Sequence, residues 1–324
     1  MTTITSTAPT TISANNWPNI IDGRDIVGGG EEVLRDSPAH DVRVASYYSA
    51  SEAEVDAAVT AAHKAFSTGD WPRTSGAERA ALLRRIAARI EAERDELALI
   101  ETLESGKPIS QAKDEVASAA GIWYYAASLA QHAYGDAHNH LGPNYLAVTV
   151  KDPVGVVGVI TPWNFPLLIV SQKLPFALAV GCTAVVKPSD LTPGTTTRLV
   201  QILYDEGLPN GAVNLVHGGG DVGGWLSSHP GTHMTTFTGS TGVGRMVAQA
   251  AAKDLKKVSL ELGGKNPQVV FPDADLDAAL DTSSLACEIG LPDSNVSIKA
   301  SSSRSASIRA ATRRSRAARS APEV

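Results

Sequence analysis

The fold class this sequence predicts is α/β, a Rossmann-like doubly wound parallel sheet. Three observations carry the prediction. From 154 to 262, short apolar runs alternate with helix-period segments, which is the rhythm of parallel strands joined by crossover helices. The run 154–160 is apolar almost without a break, as expected of a strand buried on both faces. Turns rich in Gly or Pro follow the successive strands, at the carboxyl ends where such sheets bind ligands.

The elements follow in order. Residues 51–67 read as an amphipathic helix, with Ser51 as N-cap and Val55, Val59 and Ala62 at helical spacing. Residues 75–104 read as one longer helix, opened by a Ser75/Glu78 capping box, striped by Leu82, Ile86 and Ile90, and ended by Gly106 and Pro108. Residues 110–134 form a third. These three are expected to pack against the sheet and to carry no chemistry. Around 144–153 the period changes to two, as in a hairpin strand: Tyr145, Ala147 and Thr149 alternate with Leu146, Val148 and Val150. Strands are then expected at 154–160, 183–187, 213–216, 234–237 and 257–262. Helices are expected at 193–206, 221–228 and 242–252, and an apolar helix with Lys173 inside it at 167–180.

The 324 residues allow about two domains, and 43% apolar with 19% charged residues suits a globular chain. A net charge of −6 implies no general attraction to nucleic acid or anionic membrane. Prolines and Lys173 interrupt the apolar stretch 154–186, so no membrane span is expected. Residues 2–13 are rich in Thr and Ser, lack the pattern of a secretory signal, and read as part of a disordered tail, 1–16. Cys182 and Cys287 make neither a disulfide framework nor a metal cluster, and a reducing cytoplasm is the natural setting. His217, His229 and His233 show no metal spacing.

Two segments concentrate chemistry. Thr161-Pro162-Trp163-Asn164-Phe165-Pro166 presents a side-chain amide between prolines after an apolar strand. Asn164 either caps the helix that starts at Pro166 or donates to a developing oxyanion. Leu260-Glu261-Leu262-Gly263-Gly264-Lys265 presents a carboxylate before a Gly-Gly turn. Glu261 is either a salt-bridged surface residue or a partly desolvated general base whose pKa is raised. Lys173, inside an apolar helix, reads by itself as a snorkelling lysine. The turns Gly218-Gly219-Gly220-Asp221-Val222-Gly223 and Gly239-Ser240-Thr241-Gly242-Val243-Gly244 offer backbone amides suited to a pyrophosphate.

Together with Lys187-Pro188-Ser189-Asp190-Leu191-Thr192-Pro193, Phe237-Thr238-Gly239-Ser240 and Gly263-Gly264-Lys265-Asn266-Pro267, these segments resemble the NAD(P)-dependent aldehyde dehydrogenase superfamily, from about Trp17 to about Asp281. The resemblance implies oxidation of an aldehyde to a carboxylic acid by thiolate attack, hydride transfer and hydrolysis. It implies Asn164 as oxyanion donor, Glu261 as general base and Lys173 as support. For the dinucleotide it implies Thr161, Trp163, Lys187, Ser189, Asp190, Gly220, Gly239, Ser240, Val243 and Leu262. An acidic group at Asp190 favours NAD over NADP. It also implies a cofactor-binding domain over 17–266, a catalytic domain starting at 267–281, and homo-oligomers that use the hairpin near 144–153.

After Asp281 the resemblance stops. Residues 282–324 hold seven Arg or Lys, three acidic residues, eleven Ser and no aromatic residue, and are expected to be disordered, with a basic arm for an acidic partner as the lesser alternative. Codons permitted for 282–296, read two nucleotides out of phase, allow Val-Val-Phe-Gly-Val-Arg-Asn-Trp-Ala-Ser-Gly-Gln-Gln-Cys, which resembles the family's nucleophile segment. The cysteine falls beside Asn295. A frameshift after Asp281 is therefore expected, leaving a chain without its nucleophile, and Cys287 is not accepted in its place. The alternative function is that of a non-catalytic NAD-binding fragment or decoy subunit.

Overall fold

The computed structural model describes residues 14–264, and 269–271, 273–275 and 278–279 beyond them. The chain divides into two units, 1–262 and 263–324. In chain order the first unit contains β1 (Asn15–Asn16), β2 (Asn19–Ile21), β3 (Arg24–Ile26), β4 (Glu32–Asp36), β5 (Arg43–Tyr48), α1 (Glu52–Ser67), α2 (Gly76–Ala92), α3 (Arg94–Ser105) and α4 (Ile109–Leu129). The hairpin β6 (Asp136–His138) and β7 (Ala147–Thr149) follows, then β8 (Val156–Ile160), α5 (Pro166–Ser171), α6 (Leu174–Ala179), β9 (Thr183–Lys187) and α7 (Gly194–Asp205). The unit ends with β10 (Val213–Leu215), α8 (Gly220–Ser228), β11 (Met234–Gly239), α9 (Thr241–Lys253) and β12 (Lys257–Leu262). In the second unit the described residues include a turn in which Ala279 N–H donates to Asp275 O at 3.0 Å.

The main sheet has seven strands in the order β12-β11-β8-β9-β10-β2-β3. The run from β12 to β10 is parallel, as expected, and β2 and β3 extend it antiparallel. From β8 the chain moves outward through β9 to β10, then returns to place β11 on the other side of β8. The winding therefore reverses between β8 and β11. Registers align Lys187, Ile160, Phe237 and Leu260 in one transverse row.

Apolar side chains cover both faces, as the unbroken strand runs require. On one face α2, α4, α5, α6 and α7 supply Leu83, Ile86, Trp123, Leu167, Leu174 and Leu199 to the larger core. On the other, Val55 and Val59 of α1, Leu226 of α8 and Val247 of α9 pack over Val156, Val185 and Phe237.

Several expectations need correction. The helix expected at 75–104 is two, α2 and α3, because the chain bends at Glu93, whose carboxylate accepts from Arg198 Nη2 at 2.7 Å and from Arg89. The third helix, expected to reach 134, ends at Leu129. The apolar helix expected over 167–180 is also two short helices, and Lys173 lies in the break (φ −127°, ψ −60°) rather than inside a helix. Pro175 explains the break, since its ring and missing N–H do not fit a continuous helix interior. The tail expected to reach residue 16 gives way earlier, where Asn15 and Asn16 pair in parallel with Ala45 and Ser46 of β5. The strands β2–β5 were not expected at all. Ser75 closes the anticipated capping box with Glu78, and Ser51, expected only as an N-cap, closes one with Glu54 as well.

Candidate functional site

In a doubly wound sheet a ligand lies beyond the carboxyl ends of the strands where the winding reverses. Here that point separates the loop after β8, which carries Thr161, Trp163 and Asn164, from the end of β11, which carries Gly239 and Ser240. Lys187 ends β9 on one side of this crevice, and Glu261 and Leu262 end β12 on the other. Three interstrand spacings separate Lys187 from Leu260, so the crevice is about 14 Å wide.

Strand alternation then assigns faces. Leu260 packs with the core under α9, so Glu261 points to the opposite face, toward the layer of α5 and α6. The electrostatics agree. Burial lowers the Lys173 pKa, and the Glu261 carboxylate opposes that shift. Lys173 and Glu261 are thus neighbours in effect, although Lys173 lies on a helix break and Glu261 on a strand. The expectation that Glu261 is partly desolvated is not met. Glu261 is exposed, because β12 is the edge strand of the sheet.

The loop after β8 is held by other elements. Thr161 is buried, and its N–H donates to Lys187 O at 3.2 Å. The Trp163 side chain is exposed, while its carbonyl accepts from Thr192 Oγ1 at 3.2 Å. Asn164 is half-buried, and its backbone carbonyl accepts from Lys107 Nζ at 2.8 Å. The N-cap of α5 is Phe165 without a side-chain cap, so Asn164 is not the helix cap that was the alternative reading. Instead Leu167 N–H donates to Glu101 Oε1 at 3.1 Å.

Lys107 also pairs with the Glu115 carboxylate and lies over the Phe165 ring. Glu101, Glu104 and Glu115 are all buried. Burial pushes Glu101 up to about 7 against the pull of Lys107, and Glu104 up to about 8 against hydrogen bonds from Gly194 and Trp17. Burial also raises Glu115, against its bond from Lys107. Beyond packing against the sheet, α3 thus sets buried carboxyls against the starts of α5 and α7, and α4 sets Glu115 against Lys107.

At the end of β9, Lys187 is buried with Nζ donating to Pro188 O at 2.7 Å and to Gly218 O at 2.6 Å. Two of the ammonium's three donors are thus committed, and one is left for a ligand. Burial lowers its pKa to about 8, against the pull of Asp190 and Asp221. Asp190 is exposed; its backbone carbonyl accepts from Tyr47 Oη at 3.2 Å. Ser189 Oγ accepts from Leu191 N–H at 3.2 Å and donates to the Asp190 carboxylate at 3.3 Å.

The two glycine turns open helices. Gly220 begins α8 after Gly219 as N-cap, and Ser240 caps α9 by accepting the Val243 N–H at 3.3 Å. The other first amides of α9 have no partner within the helix and suit a phosphate, with the Ser240 hydroxyl beside them. Gly244 packs closely on Leu262: a Cβ there would meet Leu262 Cδ2 at 2.4 Å unless that side chain turned aside. These features fit a dinucleotide laid across the strand ends.

Among the described residues there is no group of three or more His, Cys, Asp or Glu able to hold a metal ion. No described helix is long and apolar enough to cross a membrane. Cys182 is buried, and burial raises its thiol pKa. Pro267 and everything after Ala279, including Cys287 and Asn295, lie outside the described residues.

Comparisons with known proteins bear on this site. The model of the aldehyde dehydrogenase family matches residues 28–287. Betaine aldehyde dehydrogenase 1 of Oryza sativa subsp. japonica is 41% identical over 258 residues, which is 78% of this chain and 51% of that protein. The crystal structure of an NAD-dependent aldehyde dehydrogenase from Sinorhizobium meliloti superposes with a TM-score of 0.82 at 46% identity, covering 85% of this chain and 56% of that one. The NAD+ complex of an aldehyde dehydrogenase from Bacillus cereus gives a TM-score of 0.79 at 38% identity, over 82% and 55% of the two chains. The chain spans about half the length of the curated relatives it matches.

Proposed function

The chain belongs to the aldehyde dehydrogenase family, and on that premise we propose that residues 154–262 bind NAD for the oxidation of an aldehyde to a carboxylic acid. The observation that carries the reading is the winding reversal between β8 and β11, flanked by Lys187 on one side and the α9 N-terminus on the other. NAD would supply the hydride acceptor. Lys187 and Asp190 would hold its ribose, and a carboxylate at Asp190 would repel a 2′-phosphate. Ser240 through its hydroxyl and Gly220 through its backbone amide would take the pyrophosphate, and Thr161, Trp163, Gly239, Val243, Ser189 and Leu262 would line the rest. Asn164 would donate to the oxyanion, Glu261 would take a proton from water, and Lys173 would hold Glu261 in place. An exposed Glu261 starts from an ordinary aqueous surrounding, so its desolvation would come from the bound ligands.

Turnover also needs a thiolate. Among the described residues the one cysteine is Cys182, which is buried and so unavailable. This observation favours a second reading for the chain as written: it binds NAD without oxidising aldehydes. The out-of-phase codons would restore a cysteine beside Asn295, and sequencing the DNA around Asp281 decides that point. Calorimetry with NAD, alongside absorbance at the reduced-nicotinamide band with a panel of aldehydes, tests both readings. Binding without turnover is expected. No heat of NAD binding would remove the whole proposal, and turnover by the purified chain would remove its second part.

A further inference from the structure

The segment from Trp163 to Leu167 is held from outside at four residues, three through the backbone and Phe165 through its ring. Thr192 Oγ1 holds the Trp163 carbonyl at 3.2 Å, and Lys107 Nζ holds the Asn164 carbonyl at 2.8 Å. The same ammonium lies 4.8 Å from the Phe165 ring centroid, and Glu101 holds the Leu167 N–H at 3.1 Å. Pro162 and Pro166 lack N–H groups, so this segment is poorly able to close on its own backbone and depends on outside partners. Lys107 supplies two of the four grips. Its side chain is 8% exposed and its carboxylate partner Glu115 is 7% exposed.

We infer that Lys107, seated by Glu115, is a positioning residue that fixes the Asn164 loop, and thereby presets the Asn164 amide and the Thr161 and Trp163 contacts to the dinucleotide. The inference rests on the NAD reading above. The chemistry of the residue suits the task. A compact ammonium offers three donors, and here it meets a carboxylate, a carbonyl and a ring face at once. The local chain delivers it: Gly106 takes a left-handed conformation (φ 78°) that ends α3, and Lys107 follows before Pro108 leads into α4. An ammonium buried in this way is costly unless all its partners stay in place, so the loop and the α3–α4 turn hold each other in one arrangement.

The test uses the full chain and two readouts. Hydrogen exchange at the Asn164, Phe165 and Leu167 amides reports the loop itself, and calorimetry with NAD reports its consequence. In Lys107→Met, exchange at these amides should accelerate about tenfold or more while β8 and β9 keep wild-type protection, and NAD should bind about tenfold more weakly. Lys107→Arg should recover most of both losses. Because Lys107→Met leaves Glu115 buried and unpaired, Lys107→Met with Glu115→Gln is run beside it, and should fold while keeping the loop loose. Loop exchange unchanged in the double variant overturns the inference, as does wild-type NAD affinity in it. Failure of the wild-type chain to bind NAD removes the underlying reading instead, and the exchange arm still decides whether Lys107 holds the loop.

Discussion

Glu101 accepts the backbone N–H of Leu167 at 3.1 Å, so the helix after the amide-bearing loop starts on a carboxylate 66 residues earlier in the chain. One turn further along α3, Glu104 does the same for α7, accepting the Gly194 N–H at 2.9 Å across 90 residues. A single helix thus caps two others that open at the strand ends. Neither cap is a local N-cap side chain, which is why both α5 and α7 lack one.

These buried carboxyls make stability depend on pH. Burial raises Glu101 from 4.5 to about 7 and Glu104 to about 8, so the folded state holds protons that the unfolded state gives up. Their contribution is fully present below about 4.5 and is lost as pH rises toward 8, by the order of 3 kcal/mol per group. His217 runs the other way. It is fully buried, burial lowers it from 6.5 to about 3, and its contribution is lost as pH falls through that range. Burial also lowers His233 and adds to the acid side. The two trends oppose each other between about 4.5 and 6.5, so denaturant titrations should show a stability plateau there and a decline on both sides. Glu101→Gln keeps an acceptor for Leu167 and should flatten the alkaline decline. An alkaline limb as steep in that variant as in wild type would show that another group causes it.

Lys187 gives NAD binding its own pH profile. Its ammonium is held by two carbonyls and its pKa is lowered to about 8 by burial. An anionic dinucleotide stabilises the charged form, so binding above about pH 8 must take up a proton, and affinity should fall there as pH rises. Lys187→Arg stays charged and should lose this dependence, at some cost in affinity, because a planar guanidinium does not fit the site of a point charge. Calorimetry at pH 7 and pH 9 measures both. Equal wild-type affinities at the two values would separate Lys187 from the ligand.

The hairpin β6–β7 is exposed on apolar side chains, with Tyr145 at 70%, Leu146 at 71%, Val148 at 61% and Val150 at 70% exposure. An isolated two-stranded hairpin with such a surface is marginal in water, and a second copy of the chain is the expected cover. Val148→Asp with Val150→Asp should shift sedimentation toward the monomer while leaving NAD affinity within about twofold, since neither residue lies at the strand ends. An unchanged sedimentation profile would assign the hairpin another role.

The strands from β8 to β12 were legible because each is an apolar run bounded by turn residues, and their helices carry clean periodicity. The site loops were legible because they hold Gly, Pro and lone polar residues at the ends of those runs. The break at Glu93 was not, because the helix pattern continues through it and its partner Arg198 lies 105 residues on, whereas the break at Lys173 had a local mark in Pro175 that the apolar periodicity outweighed. Strands β2–β5 are short and mixed in burial, and are shaped by partners up to about two hundred residues away, such as Asn19 donating to Tyr48 O and accepting from His217 N. Glu101 and Glu104 lie in a helix-period segment and Lys107 just after it, with nothing nearby to set them apart. Their partners sit 66, 90 and 57 residues further on, so no local pattern marks them.

Gly155 provides a test of how the central strand is entered. It precedes β8 with φ +116°, a region closed to residues with a Cβ, and a Cβ there would lie 2.6 Å from His233 Nδ1. That nitrogen accepts the Val156 N–H at 3.0 Å, so pushing the ring away also frees a ladder-edge donor. Gly155→Ala should therefore destabilise by about 3 kcal/mol, the sum of backbone strain and a lost hydrogen bond. Gly121 is the control: it lies inside α4 with nothing within 4 Å of an added Cβ. Gly121→Ala should stabilise by up to about 1 kcal/mol through helix propensity alone. The same added methyl thus has opposite signs at two glycines, and melting curves of the two variants read the difference. A mild effect at Gly155 would mean that His233 and the entry to β8 can shift together, which would loosen the strand that carries the Asn164 loop.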